Sequence, residues 1–235
     1  LSKALDCKLQ DLVMPVKEMT TVRFRAKKKM NRREQVLAVV SDWLDDFSFL
    51  EDLLDDKEEY KLQGFADNKK ILNPQRYAKA ARRAIGLKDD EPIHDISGLI
   101  ESCGIKLLAL PYSSDAFNGL SVGTGDKGPA IIINTWERIS IERQIFSTAH
   151  ELGHLLMHLG DYNSEVLTED KAQEKEADLF AGYFLMPQAG FASEWEETYG
   201  MPFLDRVMKI KGIFKVSYKT VIYRLKQEGI GDDSI

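Results

Sequence analysis

The chain has 235 residues, 43% hydrophobic and 9% aromatic, enough for one or two domains with a sizeable core and no disulfide staples. Charged residues make up 30% and the net charge is −6, which argues against nucleic-acid binding by the whole chain but leaves room for a basic patch. Cys7 and Cys103 lack any partner motif, no apolar run is long enough to span a bilayer and no signal peptide opens the chain, which excludes a disulfide-rich secreted scaffold, a cysteine zinc finger and a membrane-spanning helix.

The expected setting is therefore reducing and cytoplasmic, without membrane contact. Residue 1 is Leu, so the chain reads as a piece of a longer product. In the segment Leu1 to Pro15, Leu1, Leu5, Leu9, Leu12 and Val13 keep a helical spacing. This helix is too short to bury its face alone and reads as the tail of a preceding domain. Arg23, Arg25, Lys27, Lys28, Lys29, Arg32 and Arg33 then crowd together without an acid between them. Such a run is either a phosphate-binding arm or a solvated linker leading into a helix. Asn31 and Glu34 form an N-x-x-E capping pattern, predicting a helix from about Arg32 with Val36, Val39, Val40, Trp43, Leu44 and Phe47 as its apolar stripe. From Asp42 to Glu59 the sign of the charge reverses.

Asn73-Pro74 predicts the next helix, with Asn73 as N-cap, an end near Ile85 and Gly86 beyond it. A short helix is predicted from Asp95 to Cys103, closing on Gly104. Strands follow at Lys106–Leu110, Leu120–Val122 and Ala130–Asn134. The remainder is helical: about Ile139–Leu159, Lys171–Leu185, Pro202–Ile210 and Ser217–Glu228. Helices before and after a small strand cluster make the fold α+β, mainly helical with a small β-sheet. The stretch Gly123 to Gly128 fits G-x-G-x-x-G letter for letter, but Pro129 and an apolar strand follow it. A dinucleotide site needs a helix there, so the stretch is a hairpin loop.

The strong chemical signal is His150-Glu151-Leu152-Gly153-His154, an H-E-x-x-H. Residues four apart on a helix share a face, so two imidazoles placed this way can bind one zinc ion. Glu151 lies one step round the helix, where it can take a proton from water at the metal. From Gln144 to Leu159, Glu151 is the one charged residue apart from histidines. The helix is therefore expected to be buried, where a carboxylate needs compensating charge. The bland alternative is a pair of core histidines bonded to backbone carbonyls.

A catalytic zinc takes three protein ligands and keeps one position open. His158 lies about 12 Å along the axis from His150, too far for one ion, and is expected to cap, support or simply pack. The next helix is the better source. Glu174 and Asp178 are four apart and share a face, whereas Glu176 points away by roughly 160–200°. Glu174 is assigned to the metal and Asp178 to the second nitrogen of a ligand histidine, with Glu176 the alternative ligand if the register differs.

At these residues the chain resembles the ImmA/IrrE family of zinc metallopeptidases. The matching text is Phe117-Asn-Gly-Leu-Ser121, Ile131-Ile-Ile-Asn134, Glu142 through His154, and Glu174 through Ala181 leading to Met186-Pro187. The family's glutamate ligand corresponds to Glu174 by its distance from Met-Pro. Asp178 stands where many members carry Asn, giving a Glu-x-x-x-Asp pairing like that of thermolysin. The resemblance implies a zincin-like H-E-x-x-H helix, Zn²⁺ as cofactor, and His150, His154 and Glu174 as ligands with Glu151 as catalytic base. It also implies a protein substrate, typically a helix-turn-helix repressor in stress or mobile-element control. Residues 1–15 resemble the last helix of an XRE-type helix-turn-helix domain, 16–72 a charged helical connector, and 73–235 the metallopeptidase domain. DNA contact would then belong to the part of the product that precedes this sequence. The alternative is a regulatory module that senses a ligand or holds a partner without cleaving it.

Overall fold

Four short strands build one mixed sheet in the computed structural model, which describes residues 19–26, 33–65, 73–115, 117–163 and 170–230. They are β1 (Val22–Ala26), β2 (Lys106–Leu110), β3 (Phe117–Val122) and β4 (Ala130–Asn134), in the spatial order β1-β3-β4-β2. β3 is antiparallel to both β1 and β4, and β2 is parallel to β4. β4 reads Ala-Ile-Ile-Ile-Asn and is buried along its whole length, as a central strand covered on both faces must be.

Eight α-helices surround this sheet among the described residues. They are α1 (Arg33–Leu54), α2 (Pro74–Ala84), α3 (Ile96–Glu101), α4 (Ile141–Met157), α5 (Lys171–Leu185), α6 (Gln188–Glu197), α7 (Phe203–Phe214) and α8 (Tyr218–Gln227). The fold is thus α+β and mainly helical, with a small sheet. The predicted helix of residues 1–15 and the basic residues 27–32, with the capping residue Asn31, lie outside the described residues.

Local sequence accounts for most boundaries. The Asn73 side chain accepts a bond from Arg76 N–H at 2.9 Å, Pro74 opens α2, and Gly86 follows with φ +81°. Asp95 caps α3 by accepting from Gly98 N–H at 3.0 Å. The Gly123–Gly128 stretch is a 3₁₀ turn at Thr124–Asp126 followed by β4, with no helix to receive a phosphate.

Two elements depart from expectation. Val22, Arg23 and Phe24 belong to a strand rather than to a linker or a phosphate arm. Apolar and basic residues alternate there with a period of two, a strand signal hidden inside a charge run. α6 falls where the sequence predicts no element, and its sequence QAGFASEWEE has no side-chain cap to announce it.

The sheet separates two cores. On its outer face, Val36, Val40 and Leu44 of α1 pack with Leu120, Val122 and Ile132. On its inner face, Ile131 and Ile133 meet Leu152, Leu155 and Leu156 of α4, with Phe180 and Phe184 of α5 behind them. The buried Arg82 fastens α2 to this layer, donating to the carbonyls of Phe184 at 2.8 Å and Lys88 at 2.7 Å.

The α4–α5 contact depends on one missing side chain. A Cβ at Gly153 would lie 2.9 Å from Cδ1 of the Phe180 ring, closer than packed atoms tolerate. Gly153→Val is therefore expected to destabilise the chain by about 1–3 kcal/mol, read from urea unfolding. Because α5 must retreat, zinc affinity should fall in the same variant.

Candidate metal centre

α4 is buried from Ser147 through Leu156, so His150, Glu151 and His154 have no exposed surface. The helix spacing sets the two imidazoles one turn apart, and their Nε2 atoms lie 2.9 Å from each other. α5 brings Glu174 over the same point. Its Oε2 is 3.3 Å from His150 Nε2 and its Oε1 is 3.2 Å from His154 Nε2. A tetrahedral ion with bonds of 2.0–2.2 Å separates its ligands by about 3.4 Å, so the triangle has the right size for zinc. The donor set of two nitrogens and one carboxylate also suits that ion, and all three could turn a lone pair to one cation.

The far side of each imidazole is held in turn. His150 Nδ1 lies 2.8 Å from Asp178 Oδ1, a contact that would leave Nε2 free for a metal once one is bound. His154 Nδ1 meets His158 Nδ1 at 2.9 Å, and His158 Nε2 meets Glu176 Oε2 at 2.9 Å. His158 is thus outside the triangle yet supports it, and Glu176 faces His158 rather than the metal point. Arg23 of β1 donates from Nη2 to Glu174 Oε1 at 3.3 Å and also bonds Gln173, fixing the start of α5 against the sheet edge.

Burial dominates the electrostatics. It pushes the His154 imidazole down to about 3, against the opposing pull of Glu174, so this ring stays neutral and keeps a lone pair. His158 is lowered for the same reason. Burial opposes ionisation of Glu174, but hydrogen bonds from His150 and His154 outweigh it and hold the carboxyl well below the usual range.

Glu151 stands beside the triangle, not in it. Its Oε2 accepts from Ser121 Oγ at 2.9 Å, and Ser121 Oγ also meets Tyr162 Oη at 2.7 Å. Burial keeps the Tyr162 hydroxyl protonated, its pKa raised well above the usual value. Close approach of sheet and helix is possible because β3 carries Gly119, where a Cβ would lie 3.2 Å from Glu151 Cγ. A cavity of about 720 Å³ adjoins the Glu174 side of this cluster, with Asn118, Ser147, Glu174 and Asp178 in its wall. The arrangement can hold a divalent ion and keep a carboxylate beside it.

Sequence reasoning did not find Ser121, Tyr162 or Arg23, nor the link from His158 to Glu176. His158→Phe keeps the ring volume but removes the acceptor for His154 Nδ1–H. It is expected to weaken zinc binding roughly 10- to 100-fold in a chelator competition, the size typical of such supporting partners.

The family model described as IrrE N-terminal-like domain, Peptidase_M78, matches residues 100–226, more than half of the chain. A Mycobacterium tuberculosis transcriptional regulator of known structure aligns with 19% identity and a TM-score of 0.46, over 71% of this chain and 50% of that one. The chain thus spans about half the length of that regulator. No curated protein matches.

Proposed function

The chain belongs to the IrrE N-terminal-like peptidase family, and on that premise we propose that it is a zinc-dependent endopeptidase acting on a protein substrate. The observation that carries this reading is the fully buried Glu151, fixed by Ser121 at 2.9 Å beside a His150–His154–Glu174 triangle that it does not join. A module that only binds a partner has no use for a carboxylate in that place.

In the proposed mechanism His150, His154 and Glu174 hold the ion. Zinc bound there supplies Lewis acidity, lowering the pKa of water toward neutrality and polarising a peptide carbonyl. Glu151 takes the proton of the attacking water and returns it to the departing amine. Asp178 and His158 keep the two imidazoles in the tautomer that offers Nε2 to the metal. Ser121, anchored by Tyr162, holds the Glu151 carboxylate at one position while leaving its charge in place.

For the substrate we propose a helix-turn-helix repressor, as the family resemblance implies, and for the longer product a fusion in which an XRE-type domain precedes this chain. The experiment is incubation of the purified chain with candidate repressors, with zinc and with excess chelator. Cleavage with zinc, its loss with chelator and its return on adding zinc are expected. Intact substrate under every condition, for repressors and for an unfolded protein such as casein, would remove the endopeptidase reading.

A further inference from the structure

The whole chain is acidic, with a net charge of −6, yet the cavity beside the metal centre has the opposite sign. Its wall, formed by α4, α5 and α8, carries Arg143, Lys171, Lys175, Lys219 and Arg224. The two carboxylates in the same wall, Glu174 and Asp178, are already turned to the imidazoles. Arg143, Lys171, Lys175 and Lys219 are exposed and have no ion-pair partner among the described residues. A cleft with an excess of one sign of charge, here five cations against two carboxylates, concentrates ligands of the other sign.

Arg224 sets this cavity apart from an ordinary solvated face. It is 1% exposed, and its guanidinium carbon lies 3.8 Å from the Tyr183 ring centroid. Its nearest acid, Glu228, is 3.9 Å away, at the limit of an ion pair. Its Nε and Nη1 have no hydrogen-bond partner among the described residues. A guanidinium stays charged at any pH a protein tolerates, so it is a buried cation with unused donors in the wall of the cavity that Glu174 also lines. The Asn118 Oδ1, from another residue of the wall, is buried without a partner among the described residues, an acceptor suited to a peptide N–H.

We propose that this cavity is a substrate subsite that takes a carboxylate of the bound polypeptide, with Arg224 at its base and Lys175 and Lys219 at its rim. The carboxylate is that of an aspartate or glutamate side chain, or of a chain terminus. The proposal rests on the endopeptidase reading, and gives it a specificity: substrates carry an acid at one fixed distance from the scissile bond.

The test uses the full chain loaded with zinc and carrying Glu151→Gln, so that peptides bind without being cut. The probes are fluorescein-labelled decapeptides of one parent sequence with an amidated end, in which Glu, Gln or Lys visits each position in turn, and the Gln parent with a free terminal carboxylate. Anisotropy should find one register at which Glu binds roughly 10- to 100-fold tighter than Gln, with Lys weaker still. The preference should shrink as salt rises and in Arg224→Gln, and should fall several-fold in the doubly substituted Lys175→Gln/Lys219→Gln chain. Should Arg224→Gln fail to fold by circular dichroism, that exposed pair decides alone. Preference for the free terminus over every internal Glu would assign the carboxylate to a chain end. Equal binding of Glu, Gln and Lys peptides, or an acid preference unaltered in the folded variants, would overturn the subsite. Cleavage by the unsubstituted chain is read separately. Acid-selective binding with no cleavage of any peptide sinks the endopeptidase reading but leaves the subsite, and cleavage without acid selectivity does the reverse.

Discussion

Glu151→Gln is expected to retain one zinc per chain and to cleave its substrate about 10²- to 10⁴-fold more slowly, the cost typical of removing a general base. The geometry separates the two properties. Glu151 sits on the α4 turn between the ligand histidines, and its Oε2 is engaged by Ser121 rather than by either imidazole. Glutamine has the same shape, keeps an oxygen for the Ser121 hydroxyl and leaves Gly119 undisturbed, but cannot take a proton from water. Elemental analysis and initial rates on the same preparation check both halves. His154→Ala is the contrast, since it should lose metal and activity together. A Glu151→Gln chain that cuts as fast as the parent would mean that another group accepts the proton.

How far the site could be read in advance follows from the range of the interactions that build it. His150, Glu151 and His154 lie within one helix, so the spacing alone set their relation. Glu174 and Asp178 required one further step, that a second helix presents an i, i+4 pair of acids to the first. Those acids do meet the Nε2 and Nδ1 atoms of the imidazoles. Beyond one helix pair the sequence was silent. Ser121 reaches Glu151 across 30 positions and Tyr162 across 41, and neither carries a local pattern that marks it. The eight-residue rise from His150 argued against His158 as a ligand, while its i, i+4 relation to His154 places its ring against that imidazole. Glu176 does point away from the metal, as its angle on the helix required, yet its side chain is long enough to find His158. β1 stayed hidden because alternation in a five-residue strand is weaker than the charge signal laid over it. Its effect on the site is direct, since Arg23 reaches the carboxylate of Glu174.

Removal of the proposed third ligand, Glu174, should have the largest effect on metal binding. In Glu174→Gln the helix and the Arg23 contact can persist, but an amide oxygen replaces the anion that faces both Nε2 atoms. Two neutral imidazoles then remain, one fewer than a catalytic zinc ordinarily takes from protein. Zinc affinity is expected to fall by more than the roughly 10- to 100-fold lost when a supporting partner is removed. Asp178→Ala should fall within that smaller range, because it frees the His150 ring without removing a ligand. Glu176→Ala should be milder again. Its carboxylate is half-exposed and acts on His154 only through His158. Competition with a zinc-binding dye orders the three, and the order is the test. If Glu176→Ala proved as damaging as Glu174→Gln, the metal would sit on the His158 side of α4, and the 3.2–3.3 Å contacts of Glu174 would belong to an ordinary buried ion pair.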